Sequence, residues 1–135
     1  KKELIEHINN LKLDKIIKIM SHEKNKSKIF KNADLLVHAA LFEGLPNCIV
    51  DAFNYSVPVI AYDGAGGISE ILGKGKYGKL FKSNSTYIVS KNIENFLTNP
   101  KVLQKKIQQS KLVLKKFRMH ETTKSLEKEI FRIFR

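Results

Sequence analysis

Two apolar runs that do not alternate, Asp34–Ala40 (DLLVHAA) and Val57–Tyr62 (VPVIAY), flank a stretch with helical spacing, and this arrangement constrains the chain more than any other feature. A strand with one wet face alternates apolar and polar residues, whereas a run without alternation is expected to be covered on both faces, as in a parallel sheet. Between the runs, Pro46 is placed to open a helix, where its missing N–H costs nothing, and Cys48, Ile49, Ala52 and Phe53 then share one apolar stripe. That helix is expected to end near Ser56. Pro58 stands near the start of the second run, where a ladder donor is least needed. Strand, helix and strand in this order predict a parallel crossover unit and an α/β class.

The remaining chain repeats the theme. Glu3–Leu11 spaces Leu4, Ile5, Ile8 and Leu11 at helical intervals. Lys15–Met20 (KIIKIM) is β-branched and apolar enough to predict a strand, with Ser21–Asn25 as the polar connection that ends it. A short basic helix is expected over Ser27–Asn32, a glycine turn over Asp63–Gly67, a short helix over Ile68–Leu72, a second glycine turn over Gly73–Gly78 and a strand over Lys79–Lys82. Asn84–Leu97 reads as loop and helix, closed by Asn99 and Pro100. From Val102 a long basic helix follows with Ile107, Leu112, Leu114 and Phe117 as its apolar residues, then a last helix with Leu126, Ile130, Ile133 and Phe134, and both are expected to pack across the sheet. No repeat or linker divides the chain, so residues 1–135 are read as one domain.

At 135 residues and 42% hydrophobic content, one core can be built. No run of about 18 apolar residues exists, and Lys1–Met20 is too charged for a signal-peptide core, which predicts a soluble segment. Cys48 is the only cysteine, so neither an internal disulfide nor a zinc site is expected, and a cytoplasmic location is the default. The net charge of +12 is concentrated at the ends: residues 1–32 hold nine lysines against four acids, residues 33–100 five against six, and residues 101–135 eleven lysines and arginines against three acids. Such ends suit an anionic membrane face, a phosphate-bearing ligand or nucleic acid, or simply solvate helices. Base readers interleave aromatics or present a recognition helix, and the basic segment does neither, so no nucleic-acid partner is expected. A non-catalytic basic module that binds anionic membrane or nucleic acid is the alternative to the reading that follows.

The chemistry is expected between Glu43 and Asp51 (EGLPNCIVD). In an open parallel sheet, ligands sit beyond the carboxyl ends of the strands, where loops and helix N-termini meet. A helix opened by Pro46 offers the N–H groups of Asn47, Cys48 and Ile49 together with the positive end of its dipole, which favours a phosphate. Gly44 lets a ligand approach the backbone. Two carboxylates beside an anion site suit hydroxyls rather than the anion, so a ligand with phosphates between two sugars satisfies the set; a loop-orienting Glu43 and a solvated Asp51 are the plain alternative. The glycines Gly64, Gly66 and Gly67 lack the spacing of a phosphate-binding fingerprint. Glu70 is a weaker candidate for sugar hydroxyls, His38 reads as a satisfied histidine at the core, and His22 stands in a loop able to line a base.

Glu43–Asp51 resembles the E-x7-E signature of retaining glycosyltransferases with the GT-B fold. The wider text NADLLVHAALFEGLPNCIVDAFNYSVPVIAYDGAGGISEIL is similar to the donor-binding domain of glycosyltransferase family 4. The resemblance runs from about Leu11 to the C-terminus. It implies a Rossmann-like parallel sheet flanked by helices, a partial C-terminal GT-B domain lacking on its N-terminal side both the acceptor domain and a basic pair for the pyrophosphate. It further implies metal-independent hexose transfer, with no cofactor, from a UDP- or GDP-sugar to a glycan or lipid-linked acceptor in cell-surface polysaccharide synthesis. Position by position, Glu43 matches the catalytic acid near the donor sugar and Asp51 the acid at the ribose. The amides around Gly44, Leu45, Asn47 and Cys48 match the holder of the distal phosphate, and the loop from Ser21 through His22 to Glu23 matches the base-lining region. By this resemblance the fragment supplies only the donor site and is inactive alone, in the cytoplasm or at the inner membrane face. The chain departs from the family in having Asp51 for glutamate, Ala40 for a common serine, and a turn at Asp63–Gly67 one residue longer than the commonest form.

Overall fold

The centre of the molecule is the strand β3, Val59–Tyr62, in which Val59, Ile60 and Ala61 are wholly buried. Its lack of alternation has the expected cause, since apolar residues cover both of its faces. The computed structural model describes residues 1–82, 85–117 and 119–134. Parallel to β3 lie β1 (Leu36–His38) on one side and β5 (Lys79–Phe81) on the other, in the order β1-β3-β5. Leu36 faces Val59 and His38 faces Ala61 in one ladder, while Ile60 faces Lys79 and Tyr62 faces Phe81 in the other. A separate parallel pair joins β2 (Phe42–Glu43) to β4 (Ala65–Gly66).

Helices complete the layers: α1 (Lys2–Asn10), α2 (Lys26–Phe30), α3 (Asn47–Asn54), α4 (Ile68–Ile71), α5 (Thr86–Leu97), α6 (Pro100–Lys116) and α7 (Met119–Ile133). Helix α3 buries Ile49, Ala52 and Phe53 against Val57, Val59, Ala61 and the Ile68, Ile71 and Leu72 of α4. Each such large side chain stabilises the fold by roughly 1.5–3 kcal/mol on full burial. Ser56, in the left-handed region at φ 59°, ends α3 as expected, and the amide of Val57 donates back to the carbonyl of Ala52. The parallel α/β architecture inferred from the sequence is the one observed.

Several local expectations fail, each for a physical reason. Lys15–Met20 forms no strand: the amides of Ile16 and Ile17 turn back onto the carbonyl of Leu13, and no described strand runs beside the segment, so its β-prone side chains lack a ladder and Ile16 is 77% exposed. The run Asp34–Ala40 shortens to Leu36–His38 and is not covered on both faces, because β1 is a sheet edge with Val37 39% exposed. In α6 the core-facing positions are Ser110 and Val113, while Leu112 points outward; Ser110 satisfies its hydroxyl on the carbonyl of Ile107. Helix α6 packs chiefly on α3 and α5 rather than across the sheet as expected, and α7 leaves Leu126, Ile130, Phe131 and Ile133 exposed. Asn84, where the loop before α5 was expected to start, lies outside the described residues.

Candidate active site

The polypeptide leaves β1 at His38, forms β2 at Phe42–Glu43, and enters α3 through Gly44, Leu45 and Pro46. Pro46 is the buried residue that caps α3, with φ −73° and ψ 94°, one position earlier than a first-turn proline. The amide of Ile49 already donates to its carbonyl at 2.9 Å, so Ile49 is not free for a ligand as the sequence suggested. Asn47 and Cys48 find no backbone carbonyl among the described residues, which leaves these two N–H groups at the positive end of the helix. A Cβ built on Gly44 would meet nothing within 4 Å, so open space lies above the loop.

Cys48 lies between Glu43 and Asp51 in the chain and is influenced by both. Burial pushes the Cys48 thiol above its usual range, and the carboxylate of Glu43 and, more weakly, that of Asp51 push it the same way, against hydrogen bonds from the amides of Cys48 and Ile49. Alkylation of Cys48 by iodoacetamide at pH 8 is expected to run several-fold slower than that of free cysteine and to accelerate in Glu43→Gln, since only the thiolate reacts. A rate indifferent to that substitution would contradict the electrostatic coupling.

Each acid also has a cationic or polar neighbour that the sequence did not announce. Lys26 Nζ stands 3.0 Å from Asp51 Oδ2, which ties the N-terminus of α2 to α3. With the two side chains 46% and 25% exposed, this pair is worth no more than about 1 kcal/mol to the fold. His38 Nε2 lies 3.9 Å from Glu43 Oε1. His38 is buried, but its Nδ1 has no partner among the described residues, so it is not the satisfied core histidine expected from its apolar surroundings. Ser21 and His22 are exposed; Glu23 accepts from the amide of Asn25 and approaches Lys28.

The glycine turn, judged weak on its spacing, is the other wall of the loop. The amide of Gly67 donates to the carbonyls of both Glu43 (3.1 Å) and Gly44 (2.8 Å). A Cβ on Gly64, Gly66 or Gly67 would strike the carbonyl oxygen of Leu41, Glu43 or Gly44 respectively, and Gly66 has φ 106°. Their spacing answers to the backbone of Leu41–Gly44 rather than to a phosphate. Glu70 is exposed and shares with Leu45 a cavity of about 140 Å³, closed by Ile71, Tyr77, Val113 and Phe117.

Known proteins resemble the chain in both sequence and shape. It is 30% identical over 92 residues to the amylovoran biosynthesis glycosyltransferase AmsD of Erwinia amylovora, a match covering 68% of this chain and 26% of that protein. It is 38% identical over 72 residues to an uncharacterized glycosyltransferase, MJ1059, of Methanocaldococcus jannaschii, covering 53% of this chain and 18% of that protein. The chain thus spans about a quarter or less of the length of these relatives. The Anabaena protein HepE, solved in complex with UDP-glucose, superposes with a TM-score of 0.85 at 19% identity, over 97% of this chain and 36% of that one. The C-terminal domain of the glycosyl transferase group 1 protein LpcC of Francisella tularensis superposes with a TM-score of 0.70 at 24% identity, over 87% of this chain and 62% of that one. These likenesses establish the fold as that of GT-B glycosyltransferases. Residues 1–113 match the family described as Glycosyl transferases group 1, and the chain belongs to that family.

Proposed function

We propose that this chain is the donor-binding part of a retaining, metal-independent hexosyltransferase that uses a UDP- or GDP-sugar. The observation that carries the reading is the passage from β2 into α3, where Glu43 precedes the open space at Gly44 and the N–H groups of Asn47 and Cys48 stand at the positive end of the helix. The Anabaena neighbour's complex with UDP-glucose supports a nucleotide-sugar donor. In this arrangement the donor hexose lies at Glu43, and the amides of Gly44, Leu45, Asn47 and Cys48 hold the distal phosphate. As the bond from the anomeric carbon to that phosphate breaks, negative charge gathers on the departing oxygen, where fixed N–H dipoles stabilise it without reorganising. Asp51, ion-paired with Lys26, takes the ribose hydroxyls, and Ser21 and His22 line the base. A second domain supplies the acceptor site, for a glycan or lipid-linked sugar of a cell-surface polysaccharide.

Cytoplasmic work at the inner membrane face fits α7, where exposed Leu126, Ile130 and Phe131 accompany Lys124, Lys128 and Arg132. No helix among the described residues is long and apolar enough to cross a membrane.

Calorimetric titration of the complete enzyme with UDP-glucose and GDP-mannose tests the donor site. One of the two should bind with a dissociation constant of roughly 1 μM–1 mM. Asp51→Asn should weaken that binding by about tenfold, the loss of a hydrogen bond to a charged acceptor. Failure of both nucleotide sugars to bind would overturn the reading.

A further inference from the structure

A second concave site opens at the other end of the sheet. It lies at Lys79, the first residue of β5, whereas Glu43 lies beyond the carboxyl end of β1. The cavity holds about 470 Å³, within the range of small-molecule sites, between the Gly73–Gly78 turn, β5, α5 and α6. Lys74, Lys79 and Lys106 line it, and no aspartate or glutamate does. Phe96, Leu80 and Val102 give it an apolar wall.

The three ammonium groups are held in different ways. Lys106 is partly buried and donates to the main-chain carbonyls of Gly75 and Lys76, the latter at 3.1 Å, which fixes its head and leaves one proton for a guest. Burial lowers its pKa, and the like charges of Lys105 and Lys79 lower it further. Lys74 and Lys79 have no acidic partner among the described residues. Asn92 and Asn99 spend their side-chain N–H groups on the carbonyls of Ile88 and Asn95, whereas the Asn95 carboxamide has no partner among the described residues. Lys74 and Lys79 are exposed and Lys106 is partly buried, and with no acidic side chain among the described lining residues the cavity favours an anion.

From this we infer that the cavity binds a phosphate group carried on a small organic moiety, the phosphate among Lys74, Lys79 and Lys106 and the moiety against Phe96 and Leu80. Phosphate suits the set better than carboxylate. Its charge of roughly −1.5 to −2 and three acceptor oxygens match three point-charge donors, while planar carboxylates favour the arginine fork that is missing here. The phosphate arrives either on a free sugar phosphate or on a lipid headgroup.

Backbone amide resonances of Gly75, Leu80 and Asn95, followed while the chain is titrated with glucose 6-phosphate and separately with phosphatidylglycerol vesicles, test the site and its source. Saturable shifts are expected with at least one of the two. Lys74→Ala with Lys79→Ala should weaken them by about tenfold, the loss of charge-assisted bonds. Lys111→Ala with Lys115→Ala, equally basic and exposed on α6 but outside the cavity, should leave them unchanged. A response to the sugar phosphate identifies a free ligand, and a response to vesicles alone identifies a headgroup. No saturable shift with either probe, or equal weakening by both lysine pairs, overturns the inference.

Discussion

Replacing Glu43 by glutamine in the complete enzyme is expected to lower turnover by about two to three orders of magnitude, with donor binding changed only a few-fold. Glutamine keeps the size and hydrogen-bonding reach of the side chain and removes its charge. The loss should therefore fall on the step in which positive charge develops at the anomeric carbon, which a carboxylate stabilises and an amide does not. Folding should change little, because the side chain of Glu43 is 42% exposed and a glutamine oxygen can keep its 3.9 Å approach to His38 Nε2, while the main chain of the residue pairs with Gly66 in the β2–β4 ladder. Initial rates of transfer, together with unchanged urea midpoints, are the measurement. Turnover equal to that of the unsubstituted enzyme would remove Glu43 from the chemistry.

Gly66→Ala is expected to do the reverse, leaving every acid in place and dismantling their support. At φ 106° an L side chain is strained, and the added Cβ would fall on the carbonyl oxygen of Glu43. Strain and steric overlap together should cost on the order of 3 kcal/mol, either as a lowered urea midpoint or as displacement of β4 from β2. Gly44→Ala is the matched control, since a Cβ there meets open space and Gly44 shows no positive φ. Equal stability of the two variants would show that the turn does not carry the loop.

Much of this was legible because local pattern and tertiary role coincide. The stripe of Ile49, Ala52 and Phe53 marked the inward face of α3, and the unbroken apolar run Val57–Tyr62 marked β3 as a buried strand. The helix start after Glu43 was legible because Pro46 precedes the apolar stripe of α3. The rest depended on contacts that carry no local mark. Lys26 reaches Asp51 only through the way α2 packs on α3. Gly66 and Gly67 answer to carbonyls some twenty residues upstream, a backbone-to-backbone contact with no side-chain signature. Lys15–Met20 has strand propensity but no neighbouring strand, and propensity supplies no hydrogen-bond partner. In α6 a buried serine, Ser110, hid the phase of the helix from an apolar count.

The division into two sheets bears on how the molecule holds a ligand. The β2–β4 pair is two residues wide on each side and shares no ladder with β1, β3 and β5. Cooperative opening of a protein follows contiguous units of differing stability, and a short, partly solvated ladder belongs to the weaker kind. The loop of Glu43 is held to the Gly66 turn by this pair and by the amide of Gly67, not by a ladder to β3. A ligand that bridges this ladder and α3 would tie the weaker unit to the stronger, so occupancy itself would tune the local breathing of the site without disturbing the core.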